Sequence, residues 1–141
     1  MPAVSVSPSS LTFGNQVLMT QSNPQTVTFT NAGNGELLIS SITISGAGVG
    51  NFTESVGCGY NAPLGPGVSC PVAVTFWPQA PGSISAMLSA VDNASGSPHT
   101  ASLTGTGVRP PTTPGNYTVL VQATTGNQGY GHTADLLVTV Q

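Results

Sequence analysis

The sequence predicts an all-β protein: an immunoglobulin-like Greek-key β-sandwich of about seven strands, followed by an extra C-terminal two-strand segment. Three observations carry this expectation. Apolar residues recur at every second position and hold no helical period, which is the mark of half-buried strands. Clusters of Gly, Pro and Asn interrupt the alternation about every ten residues, the spacing of turns in a sandwich. The length of 141 residues exceeds the roughly 100 that one such sandwich needs, while two would be cramped.

Val4 and Val6, then Leu11 and Phe13, form a first strand broken at Pro8. Val27 and Phe29 alternate with Thr26, Thr28 and Thr30 in a strand with one wet face, closed by the turn-rich Asn31–Gly35. From Leu37 to Ile44 the apolar parity changes between Ile39 and Ile42, which predicts a bulge or a strand buried on both faces. Asn51–Val56 carries Phe52 inward. Val68, Cys70, Val72, Val74 and Phe76 share one parity and predict an inward row; Pro71 falls on the other parity near the start, where a missing amide donor is tolerated. WPQAPG turns the chain, Ile84, Ala86, Leu88 and Ala90 form another inward row, and DNASGSP turns it again before His99–Thr104, where Ala101 and Leu103 face in.

Composition shifts at Gly107–Gly115, with prolines at 110, 111 and 114, as in a stiff linker. The predicted organisation is a sandwich over 1–107, a linker over 108–115 and a strand pair over 116–141. One late row is Tyr117, Val119, Val121 and Ala123; the other is Ala134, Leu136, Val138 and Val140. An isolated hairpin is marginal in water, so something must cover this one: the sandwich, a second copy, or the remainder of another domain. Leu120 and Leu137 have parity opposite to those rows, so both faces carry apolar residues. Tyr117, Leu120, Leu137 and Val140 are therefore candidate assembly-interface residues.

Charge excludes several functions. Only 4% of residues are charged, against roughly 25% in an ordinary soluble domain. Lysine is absent, Arg109 is the one fixed cation, and the formal net charge is -3. Such a chain has no footprint for phosphate backbones or anionic lipid, so neither nucleic-acid binding nor membrane insertion is expected. Its exterior must be hydrated by Ser, Thr, Asn and Gln, which suits a secreted or cell-surface life. No signal peptide or apolar span is visible, and Met1 is read as the start of a mature fragment.

Cys58 and Cys70 bound a Gly- and Pro-containing segment whose ends can approach. A disulfide is the favoured reading and would contribute about 3 kcal/mol; a zinc pair, short of two ligands, is the alternative.

From Val6 to Gly107 the chain resembles the Hydin-type (ASH) immunoglobulin-like domains, in particular the bacterial choice-of-anchor D version. The resemblance lies in LTFGNQ, VTFTNAGNGELLISSITISG, the CG…LGPGVSCPVAVTFWPQAPGS block and SPHTASLTGTG. It implies a modular, secreted or surface-exposed protein with a Cys-bridged sandwich acting as a spacer or interaction module. The tail from Thr112 looks like the last two strands of a bacterial immunoglobulin-like repeat, with Tyr117 near a corner position.

Catalysis finds no support: no nucleophile elbow, zinc-helix motif, phosphate loop or EF-hand spacing occurs. No cofactor or metal is expected. His99 and His132 are read as solvated strand-end residues. Glu36, Glu54, Asp92 and Asp135 are separated in sequence, and Asp92 is read as a turn residue bonding nearby amides. Tyr60, Trp77 and Tyr130 are candidate ligand contacts, since exposed rings stack on sugars; for Trp77 the competing role is to cap the core or pack on the first strand. Asn51, Asn93 and Asn116 head Asn-x-Ser/Thr triplets, read as chance. Without lysine there is no intramolecular isopeptide bond. The expected function is a structural or adhesive module. A self-assembling filament subunit, with partners that are copies of itself joined by β-strand pairing, and a carbohydrate-binding module are the alternatives.

Overall fold

The computed structural model describes residues 1–112, 115–124 and 131–140, the last two segments as backbone strands. The strands are β1 (Val4–Ser7), β2 (Ser10–Val17), β3 (Gln25–Asn31), β4 (Leu37–Ser45), β5 (Phe52–Val56), β6 (Pro63–Leu64), β7 (Ser69–Phe76), β8 (Gly82–Asp92), β9 (His99–Val108), β10 (Gly115–Thr124) and β11 (Gly131–Val140). A single 3-10 turn, Val49–Asn51, precedes β5. Contacts divide the chain into two compact units, Met1–Arg109 and Pro110–Gln141.

The first unit is a sandwich of two sheets, ordered β1-β3-β7-β5 and β2-β9-β8-β4-β6. It holds more strands than the alternation predicts, for two local reasons. The first expected strand is split at Pro8, which has no amide to continue a ladder. β1 pairs antiparallel with β3 in one sheet, while β2 crosses to the other and runs parallel to β9. The second addition is β6, a two-residue bridge from the cysteine loop onto Leu37 and Leu38.

Between the sheets, Val27 and Phe29 of β3 and Cys70, Val72, Val74 and Phe76 of β7 meet Leu37, Ile39, Leu88 and Leu103 of the facing sheet, all buried. Burying each such aliphatic or aromatic side chain contributes roughly 1.5–3 kcal/mol. Phe13, Phe52 and Phe76 stack in a cluster with centroids 4.9–5.9 Å apart, within the range of favourable ring pairs. β9 makes room for it: a Cβ on Gly105 would lie 2.5 Å from the Phe76 ring.

The parity change in β4 is a bulge, seen as a register shift between Ile39 and Ser41 against β8. A second bulge, in β2, has three steps from Thr12 to Asn15 against two from Thr104 to Thr106. Gly14 sits there at φ +64, a backbone region that glycine enters without steric cost.

The inward row of β7 is one residue shorter than the alternation predicts. Val68 is 46% exposed and stands outside the inward row. Its amide bonds to Gly65 O and its carbonyl accepts from the Asn31 amide, so it belongs to the turn and pairing on β3 begins at Ser69. Trp77 stands at the end of β7, 46% exposed, and Pro78 beside it is fully buried. Since Phe76 points inward, strand alternation turns Trp77 outward.

The second unit is one antiparallel ladder, unbroken from Gly115↔Val140 to Thr124↔Gly131. No described helix is long and apolar enough to cross a membrane.

Candidate interaction surface

Register places the loops. Val4↔Asn31, Thr30↔Ser69, Leu37↔Leu64 and Ile39↔Asp92 gather the N-terminus, the Asn31–Gly35 turn, the cysteine loop and the β8–β9 turn at one end of the sandwich. Phe52↔Phe76 puts Trp77 at the other. The strand between them spans roughly 25 Å, so Tyr60 and Trp77 do not form one aromatic platform. Tyr130 lies outside the described residues.

Asn31 organises the first end. It is fully buried. Its Nδ2 donates to Gly35 O (2.7 Å) and Leu64 O (2.8 Å), and its Oδ1 accepts from the Gly33 amide (3.0 Å). Its own amide and carbonyl bond to Val68 O and the Gly67 amide. One side chain thereby ties two turns that sequence leaves unrelated.

The Cys58–Cys70 disulfide closes the loop beside it, with Cα atoms 5.2 Å apart and Cys70 fully buried. Backbone bonds finish the loop: the Gly57 amide donates to Pro71 O and the Asn61 amide to Ile39 O, both at 2.8 Å. Asn61 adopts φ 54, which Asn tolerates better than most residues. Tyr60 is held at the tip, 50% exposed. An aromatic ring on a prearranged loop contacts a partner at low entropic cost.

Asp92 bonds the Ala94 amide through Oδ1 at 2.8 Å, as a turn residue should. Its Oδ2 also lies 2.8 Å from His99 Nδ1, with the Asp side chain fully buried and the His side chain 18% exposed. Ser97 Oγ accepts from the Asp92 amide. His99 is thus a member of the turn rather than a solvated strand end. Sequence hid this pair, although a tight hairpin with Ala90 opposite His99 is the arrangement that creates it. In chemical terms the pair orients a turn.

Two of the Asn triplets are used by the backbone. Asn51 accepts from the Gln79 amide and donates to Gly48 O; Asn93 accepts from the Leu38 amide and donates to Glu36 O. The sandwich exterior is hydroxylated, with Thr30 and Ser69 2.8 Å apart and Thr53 and Thr75 2.6 Å apart. A shallow groove of about 230 Å³ runs beside the β2 bulge, lined by Thr12, Ser83, Ser85, Thr104 and Thr106 among others. It is smaller than the roughly 300–1,000 Å³ of ordinary small-molecule sites. Of the candidate assembly residues, Tyr117 pairs with Val138, Leu120 with Asp135, Leu137 with Thr118 and Val140 with Gly115.

The model of the HYDIN/CFA65/VesB-like, Ig-like domain matches residues 2–106. The chain belongs to this family. As an Ig-like domain of the HYDIN/CFA65/VesB-like family, it carries the ASH-type sandwich that its motifs resemble, and the match ends before the C-terminal strands. No curated protein matches the chain. Among solved structures, it is similar to the ASH/PapD-like domain of human CEP192, with 16% identity over 77% of this chain and 87% of that one, TM-score 0.54. It is similar to the Vibrio cholerae VesB protease, with 21% identity over 74% of this chain and TM-score 0.56. The secreted serine protease VesC of Vibrio cholerae shows 16% identity over 74% of this chain and TM-score 0.54. The chain spans 31% of the VesB chain and 23% of the VesC chain. At these identities the likeness is one of fold.

Proposed function

We propose that this Ig-like domain is a non-catalytic structural and adhesive module of a secreted or cell-surface bacterial protein, presenting the loop around Tyr60 to a partner. The observation that carries the reading is the Cys58–Cys70 bridge. Disulfides persist in oxidising compartments, and this one holds an exposed aromatic in place instead of sealing a catalytic cleft. The near absence of charge and the hydroxylated faces fit an exterior setting. VesC, a secreted protein, has this fold in about a quarter of its chain, as expected of a module carried alongside other domains.

The test is adhesion of protein-coated beads to bacterial cells, matrix proteins and a glycan array. The reading expects reproducible retention on one surface, reduced at least tenfold by Tyr60→Ala or by reduction of the disulfide. Equal retention of wild type and Tyr60→Ala would sink the adhesive role, and a glycan hit would select a carbohydrate partner. A second reading, assembly between copies, is favoured by the two-stranded β10–β11 sheet.

A further inference from the structure

We infer that the outer edge of β10 pairs antiparallel with the same edge of a second copy, closing a two-fold dimer through a continuous four-stranded sheet. The inference rests on the assembly reading and says which strand makes the contact.

β10 and β11 form a two-stranded sheet, each pairing with the other and with no further strand among the described residues. Two strands alone are marginal in water, and a third or fourth gives independent stability. The ladder is ten pairs long without a register shift, so each outer edge is a regular row roughly 33 Å in length. Long regular edges are usually protected by Lys, Pro, bulges or inward charges. β10, GNYTVLVQAT, carries none of these residues, whereas β11, GHTADLLVTV, has His132 and Asp135.

That asymmetry selects the edge. A two-fold axis through Asp135, one of the two central residues of β11, would bring Asp135 of one copy against Asp135 of the other, and like charges directly opposed destabilise a pair. The equivalent axis through β10, at Val119 or at Leu120, pairs that residue with its own copy and brings only uncharged residues together. Such a contact is isologous and self-limiting, so it yields a dimer and does not by itself extend to a filament.

Sedimentation of the full chain over a concentration series tests this. The expected result is a concentration-dependent shift from 14.1 kDa to twice that mass and no further. Thr118→Lys with Gln122→Lys, which adds cations to β10, should abolish the shift at the same concentrations, with partial recovery in high salt. Thr133→Lys with Thr139→Lys adds the same charge to β11 and should leave the dimer intact. Circular dichroism of each variant must match wild type; if the β10 variant has lost sheet, Thr118→Glu with Gln122→Glu takes its place. A wild-type monomer throughout overturns both the dimer and the assembly reading. Open-ended growth beyond two copies, or equal dissociation by the β11 variant, overturns the β10 dimer alone.

Discussion

The Asn31 side-chain amide donates to the Leu64 carbonyl at 2.8 Å, across 33 residues of sequence and inside the sandwich. This bond joins the end of β3 to the cysteine loop. Because every polar atom of Asn31 is partnered, its hydrogen bonds offset the cost of desolvating it in the core. Asn31→Asp replaces the donor with an oxygen facing two carbonyls, at Gly35 and Leu64. The expected loss is on the order of 3 kcal/mol, read as a lower urea midpoint. A midpoint within error of wild type would show that the hub does not matter.

The disulfide makes a separable contribution. Cys58→Ala with Cys70→Ala should destabilise the sandwich by about 3 kcal/mol, the entropy of closing a short loop in the unfolded chain. Native thiol titration of wild type should find no free sulfur. Chymotrypsin should cut after Tyr60 faster in the double variant than in wild type; indifference to the bridge at this bond would contradict a prearranged loop.

Gly105 and Gly14 should respond differently to alanine. At Gly105 the new Cβ lies 2.5 Å from Phe76 Cε1, an overpacking that costs about 1–3 kcal/mol. At Gly14 the Cβ meets nothing within 4 Å, so the penalty is the positive φ alone, roughly 1 kcal/mol. Thermal denaturation should therefore rank Gly105→Ala below Gly14→Ala. The reverse order would mean that the aromatic cluster yields more easily than the bulge.

Arg109 is exposed and is followed by Pro110. Proteases specific for basic residues need a secondary amide after the cation, and proline supplies a tertiary amide with no N–H. Wild type should survive trypsin intact by mass spectrometry. Pro110→Ala should be cut once, giving a fragment of residues 1–109; cleavage of the wild-type chain would refute this account.

Alternation made the sandwich legible. The inward residues of β3 and of β7 from Cys70 onward, Phe52, and the β4 bulge all follow from parity, because a sheet face demands its apolar residues at alternate positions. The β8 row is graded, Leu88 and Ala90 buried and Ile84 and Ala86 only partly, which parity cannot rank. The disulfide was legible for a similar local reason: a short segment that can bend brings its ends together.

By itself, then, the sequence determined the fold class, the inward rows of the sandwich from Val27 to Leu103 with Val68 excepted, the Cys58–Cys70 pairing as the favoured chemistry, and the charge-poor exterior, since each is set by neighbours along the chain. Tertiary structure alone decided that β2 crosses to pair with β9, that Asn31 reaches Leu64, that Asp92 meets His99, and that Trp77 stands at the end opposite Tyr60. These depend on which strands lie side by side, and hydrogen bonds between distant segments leave no periodic trace in the residues that make them.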